Sequence, residues 1–315
     1  MSILDLQMGE RETWRLIKHP PAPGPWNMAV DQALLQTVIG GGRPVLRLYS
    51  WRPYALSIGY AQNMALIDAA ACRRAGVDVV RRPTGGRAVL HAAEVTYSIA
   101  LPPGHRLVAS GVIKSYKLLS VGFIRAFARL GLQVEPVAPE LPEDDREVPG
   151  ASGEPEAREM EAAEGERPAL SRYLNSGAAC FDAPSWYELT VAGRKVIGSA
   201  QVRKKGAVLQ HGSIPLYLDA EALFSLLKFP DEGRRRRAAA AFSQKAAGLN
   251  QLGLGEFPAE RVEEALIQGF AEAFHLQFAS SDLSREEAAW VERFLATAGP
   301  TASPAQSPSP APAEN

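Results

Sequence analysis

The sequence predicts an α+β fold in which mixed β-sheets are flanked by helices. Three observations lead there. Several short runs alternate apolar and polar residues with the period of a strand, while longer stretches repeat at three and four residues, the period of a helix. The two kinds of segment interleave without a strict strand–helix–strand rhythm, which disfavours a doubly wound parallel sheet. The chain has 315 residues, 46% of them hydrophobic and 22% charged. That is enough to bury a sizeable core without disulfides or structural metals.

The elements follow in order. WNMAVDQALLQTVI (26–39) is expected as a helix, with Asn27 or Asp31 serving near its start and Gly40 to Gly42 stopping it. PVLRLYSW and ALSIGYA read as strands separated by a turn at Arg52-Pro53. ALIDAAACRRAG returns to helix, VDVVRRP to strand, and AVLHAAEVTYSIAL to sheet. The strongest helical signal covers 107–131. There Val112, Tyr116, Leu119, Phe123, Phe127 and Leu130 share one face, and Lys114, Lys117, Arg125 and Arg129 the other. A basic face of this kind is usually solvated, and it is also a candidate surface for an acidic partner. WYELTV-AG-RKVIGSAQV reads as a hairpin whose two-residue loop, Ala192-Gly193, sets Lys195 opposite Thr190. The stretch 173–218 is sheet-like, and the chain beyond it to about residue 298 reads as helices.

Residues 1–298 are expected to form one domain, with its core at about 27–250. It is interrupted at 139–168 by an acidic, Pro- and Gly-rich insertion with too little apolar surface to offset its ordering entropy, hence disordered. The Pro-, Ser- and Ala-rich tail at 299–315 is expected to be disordered on the same grounds. Neither a secretory signal nor a membrane span is expected. A formal net charge of -1 argues against a general nucleic-acid binder. Two cysteines, Cys72 and Cys180, are too few for a disulfide framework, and a reduced, cytoplasmic setting follows. The five histidines form no HxxxH or HxH pair, so no metal is expected.

Two segments carry candidate chemistry. In VDVVRRPTGGRAVLH a strand ends at Arg81-Arg82, Pro83 fixes a turn, and Gly85-Gly86 let the backbone approach a ligand. Arg82 and Arg87 flank that turn and can take phosphate or carboxylate oxygens. The spacing fits neither a Walker loop nor a dinucleotide fingerprint, and a tight hairpin with exposed arginines accounts for the residues equally well. His91 by itself reads better as a satisfied structural histidine. His211 is a possible base, but no Ser-His-Asp spacing surrounds it. Cys180 taken alone reads as a small buried hydrophobe. Its surroundings (Asn175, Ser176, Gly177, Pro184, Ser185) are irregular, a better place for chemistry than a strand centre, and Lys195 lies in the same module. An ammonium about 4 Å from a thiol is worth on the order of 4 kcal/mol at an effective dielectric of ~20, enough to ionise it at neutral pH. Contact requires the chain to fold back near Ala183-Pro184-Ser185.

RRPTGGRAVLHAAEVTYS resembles the signature loop of the biotin/lipoate protein ligase and lipoyl-transferase superfamily. CFDAPSWYELTVAGRKVIGSAQVRKKGAVLQHGSI resembles one branch of it, the LipM-type octanoyltransferases. The similarity runs from about ETWRLI to the helices near residue 298, apart from the acidic insertion. It implies a biotin/lipoate protein ligase-like catalytic domain that needs no cofactor and no ATP. The implied reaction moves octanoyl from octanoyl-acyl carrier protein to the lipoyl-domain lysine of the glycine cleavage system H protein, or of another lipoyl domain, in lipoate biosynthesis. The implied nucleophile is Cys180, with Lys195 lowering its pKa. The implied acyl pocket is walled by Arg82, Thr84, Gly85, Gly86, Arg87, Ala88, Val89, Leu90 and His91, with Gly198, Ser199, Ala200, His211, Gly212 and Ser213. Both carriers tend to be acidic in such a pathway, which makes the basic face around Lys114 and the run Arg234 to Arg237 candidate docking surfaces. The second bacterial octanoyltransferase family carries its cysteine beyond the HG stretch, which here reads HGSIPLYLDA without one. An ATP-dependent lipoate–protein ligase, an octanoyl amidotransferase acting between carrier domains, and a non-enzymatic carrier-binding module are the competing readings.

Overall fold

A computed structural model describes residues 11–137 and 188–297. The acidic segment 139–168, Cys180 and the tail 299–315 lie outside the described residues. In chain order the elements are β1 (Glu12–Lys18), α1 (Gly24–Ile39), β2 (Val45–Tyr49), β3 (Ala55–Ile58), α2 (Ala69–Arg74), β4 (Asp78–Arg81), β5 (Val89–His91), β6 (Glu94–Leu101) and α3 (Val112–Arg129). There follow β7 (Glu135–Val137), β8 (Glu188–Val191), β9 (Arg194–Lys195), β10 (Gly198–Lys204), β11 (Ala207–Pro215), α4 (Ala220–Ser225), α5 (Glu232–Lys245), α6 (Ala259–Phe274), β12 (Leu276–Ser280) and α7 (Arg285–Thr297).

Six strands form the central sheet in the order β10-β11-β6-β2-β1-β12. β1 runs parallel to β2 and β12, and the remaining pairs are antiparallel. Alternation along the strands divides the core into two layers. Val45 and Ala100, opposite each other on β2 and β6, point to α1 and α7 and pack with Ala33, Leu34 and Val291. Their neighbours Leu46 and Ile99 point the other way, to Leu119 and Phe123 of α3 and Phe270 of α6. Phe123 and Phe270 meet edge to face at 4.9 Å. A second, three-stranded sheet, β4-β3-β5, packs its own apolar side with α4 and α5, and a third joins β7, β8 and β9. The mixed, helix-flanked α+β architecture is the one the periodicities predict. No helix among the described residues is long and apolar enough to cross a membrane.

Several expectations are corrected. The first helix begins at Gly24 behind Pro23 and has no side-chain cap. Asn27 and Asp31, expected near its start as helix-initiating residues, are fully buried and serve the interior instead. The glycine turn is not a hairpin, because β3 lies between β4 and β5. AVLHAAEVTYSIAL is divided between two sheets, and β1 and β12, at the open edge of the large sheet, were not anticipated. The Ala192-Gly193 hairpin forms as expected. Both loop residues have positive φ, 49° and 71°, and Thr190 pairs with Lys195.

Candidate functional site

The site is built on two rows of side chains that strand register places side by side. Arg47, Ser98 and His211 are in register across β2, β6 and β11. All three reach the carboxylate of Asp31, which α1 lowers onto the row. Arg47 Nη1 donates to Asp31 Oδ1 at 2.7 Å, Ser98 Oγ to the same oxygen at 2.8 Å, and His211 Nδ1 lies 2.9 Å from Oδ2. Tyr49, one row further, adds its hydroxyl to Oδ2 at 3.0 Å. Burial pulls the Asp31 carboxyl up, but the Arg47 charge and the bonds from His211 and Ser98 outweigh it and hold the group below its ordinary value. Asp31 therefore accepts, His211 carries its proton on Nδ1, and Nε2 takes the hydroxyl of Thr84 at 2.6 Å. This single contact fastens the glycine turn to β11.

The second row is Tyr49, Thr96 and Ser213. Glu94, at the start of β6, receives Thr96 Oγ on Oε1 and Ser213 Oγ on Oε2, each at 2.5 Å. His91 Nδ1 sits 2.7 Å from Glu94 Oε1, and its Nε2 lies 2.7 Å from Ser57 Oγ on β3. The Trp51 indole stacks on the His91 ring at 4.1 Å between centroids.

Between these rows and the small sheet lies a cleft with about 430 Å³ of empty space, part of it open to solvent. Ser57, Arg82, Val89 and His91 line one wall. The other carries Thr96, His211, Gly212, Ser213 and the segment Gly198 to Ala200, and Met28, Tyr49 and Trp51 complete the lining. Its surface is mainly apolar with a few directed polar groups, the character of a small-ligand site. Two glycines are required by close approach. A Cβ on Gly212 would meet the Gly198 carbonyl oxygen at 2.2 Å, and one on Gly59 would meet that of Gly86 at 2.0 Å.

The remaining sequence-derived residues fall into different places. Arg82 is not poised for an anion. Its Nε and Nη2 donate to the Gly85 carbonyl at 3.1 and 2.9 Å, Nη2 also to that of Arg87 at 2.7 Å, and Nη1 to the carbonyl and hydroxyl of Ser57, each at 3.0 Å. The guanidinium braces its own loop. Gly85 and Gly86 are exposed and Arg87 is half-buried beside them. Ala88 is buried in the core of the small sheet, and Leu90 packs against that core. Lys195 is buried on β9, three residues ahead of Gly198, and is not among the side chains lining the cleft. Cys180 lies outside the described residues. Within the run Arg234 to Arg237, Arg235 pairs with Glu221 and Glu232 and Arg236 with Glu232, which neutralises much of its charge. Among the described residues no cluster of three His, Cys, Asp or Glu side chains is placed to hold a metal.

Sequence reasoning missed Asp31, Glu94 and Ser57. For Asp31 a signal existed: Asn27 and Asp31 stand four apart, on one helix face, among the apolar residues Met28, Val30, Leu34 and Leu35, the mark of a buried polar pair. Glu94 and Ser57 carried none, since their partners come from other elements.

Comparison with known proteins places these observations. The family described as lipoyl protein ligase A/B catalytic domain matches residues 23–271. The chain is 41% identical over 278 residues to octanoyltransferase LipM of Carboxydothermus hydrogenoformans, covering 88% of this chain and 92% of that protein. It is 37% identical over 293 residues to octanoyltransferase LipM of Bacillus subtilis, covering 91% and 96%. In fold it is similar to a bipartite lipoate protein ligase of Thermoplasma acidophilum, with a TM-score of 0.68 at 20% identity, covering 91% and 93% of the two chains.

Proposed function

The chain belongs to the lipoyl protein ligase A/B catalytic-domain family, and on that footing we propose that it works as a cysteine-dependent, nucleotide-independent octanoyltransferase. Transfer of octanoyl groups in lipoate biosynthesis is the activity its relatives support. The donor is octanoyl-acyl carrier protein and the acceptor is the lipoyl-domain lysine of the glycine cleavage system H protein or a similar domain. The observation that carries this reading is similarity to octanoyltransferases, 37–41% identical across about nine-tenths of the chain, with Cys180 and Lys195 both present.

The Cys180 thiolate attacks the carrier's thioester carbonyl; a new carbon–sulfur bond forms and the pantetheine thiolate leaves. The Lys195 ammonium lowers the thiol from its ordinary pKa of about 8.5. Backbone amides near the glycine turn stabilise the tetrahedral oxyanion. The acceptor amine then displaces Cys180, turning thioester into amide, a downhill step that needs no ATP. The apolar cleft receives the acyl chain, and the reduced cytoplasm keeps Cys180 a thiol.

The test mixes the protein, octanoyl-acyl carrier protein and a lipoyl domain without nucleotide. An octanoylated domain is expected. Transfer only from free octanoate with ATP contradicts the reading.

A further inference from the structure

We propose that Ser57, His91 and Glu94 form a proton relay that removes the proton of the acceptor amine as it attacks the octanoyl thioester. The inference rests on the thioester reading above and adds a base for its second half, which that reading leaves without one.

The directions follow from a carboxylate that only accepts and a neutral imidazole that donates from one nitrogen and accepts at the other. At one end Ser57 Oγ receives Arg82 Nη1 at 3.0 Å and lies 2.7 Å from His91 Nε2, to which it donates when the imidazole carries its proton on Nδ1. At the other end the Trp51 indole N–H occupies Thr96 Oγ at 2.7 Å, so the Thr96 hydrogen goes to Glu94 Oε1. Glu94 is then an acceptor on both oxygens and takes the His91 Nδ1 proton at 2.7 Å. The result is hydroxyl to imidazole to carboxylate, the order of a serine-hydrolase triad. The Arg82 cation beside Ser57 Oγ acidifies its hydroxyl, which favours release of the Ser57 proton to His91. Ser57 and His91 both line the cleft, and Trp51, stacked on the ring, fixes its plane.

The step balances. The amine nitrogen bonds to the carbonyl carbon, the carbon–sulfur bond breaks, and sulfur leaves as the Cys180 thiolate. The nitrogen's proton passes to Ser57 Oγ as the Ser57 proton passes to His91 Nε2. The imidazolium is held by Glu94 until the proton returns to solvent. Ser57 is the residue in contact with the amine, and His91 and Glu94 act through it. The charged and titratable groups facing His91 are Glu94 on β6, Arg82 after β4 and His211 on β11, the last joined to Asp31 of α1.

The test uses octanoyl-enzyme loaded from octanoyl-acyl carrier protein and mixed with a lipoyl domain in a single turnover, followed by intact mass against time. Ser57→Ala and His91→Gln are each expected to slow transfer roughly 100-fold. Glu94→Gln is expected to slow transfer as well, since the imidazolium loses its carboxylate. Hydroxylamine, which attacks thioesters without a base, is expected to strip octanoyl from all forms at equal rates. Transfer at the wild-type rate in Ser57→Ala overturns the relay, as does a parallel fall in the hydroxylamine reaction, the mark of a merely structural lesion. Should His91→Gln fail to fold, Ser57→Ala decides alone. Failure of the wild type to load octanoyl at all is seen before any acceptor is added, and it overturns the thioester reading together with the relay.

Discussion

His211 Nδ1 lies 2.9 Å from Asp31 Oδ2, joining residues 180 positions apart in the chain. The contact is one of four that converge on a fully buried carboxylate, and the charge balancing it, Arg47, is fully buried too. Removing one partner of such a pair strands the other. Asp31→Ala is expected to cost about 3–5 kcal/mol in urea denaturation. The double variant Asp31→Ala, Arg47→Met is expected to recover much of that loss. An additive double variant contradicts the pairing.

Two histidines make stability depend on pH in a stated direction. His19 Nδ1 accepts the Arg47 Nε–H at 2.9 Å, and burial together with the Arg47 charge pushes its imidazole down to about 4. His211 is pushed down as well, by burial first and then by Arg82 and His91, against the opposing pull of Asp31. Unfolded, both titrate near ~6.5. Between the folded and unfolded values the unfolded chain binds more protons, so stability rises with pH in that window. Denaturation midpoints are expected to fall as pH drops below about 6.5. His19→Gln should remove on the order of 1–2 kcal/mol of that dependence, the figure being discounted for the half-exposed position of the ring.

Gly59 fixes how closely β3 approaches the glycine turn. With the Gly86 oxygen 2.0 Å from where a Cβ would stand, Gly59→Ala must displace the turn. Displacement of about 1 Å at a positioned site costs roughly 100-fold. Octanoyl transfer by Gly59→Ala is expected to fall by that order. A neighbouring control, Gly85→Ala, meets nothing within 4 Å and should lose far less.

Arg82 serves its loop with a planar fork of donors. Lysine offers a single ammonium and cannot reach the Ser57, Gly85 and Arg87 carbonyls together. Arg82→Lys is expected to expose the turn to limited proteolysis and to lower melting temperature, by about 2–4 °C per kcal/mol lost for a chain of this size. Wild-type proteolysis and melting would show that the loop holds without it.

How far the sequence could be read follows from the range of the interactions. The α3 face was legible because its period lies in one continuous stretch, and Leu119, Phe123 and Phe127 are buried as the spacing requires. The Ala192-Gly193 hairpin was legible because two-residue loops dictate register locally. Asp31, by contrast, shows in sequence only its four-residue spacing from Asn27, and its partners appear when β2, β6 and β11 align Arg47, Ser98 and His211 beneath it. The parallel strands β1 and β12 pair residues such as Trp14 and Phe278, which no local signal connects. Arg82 lines the cleft while its donors turn to its own loop, and in sequence an arginine beside a glycine turn looks the same in either case.

The most direct measurement is the intact mass of the protein after exposure to octanoyl-acyl carrier protein without nucleotide or acceptor. One octanoyl group is expected on the wild type, none on Cys180→Ala, and markedly slower loading at neutral pH on Lys195→Met. Octanoylation that persists without the Cys180 thiol would contradict the account.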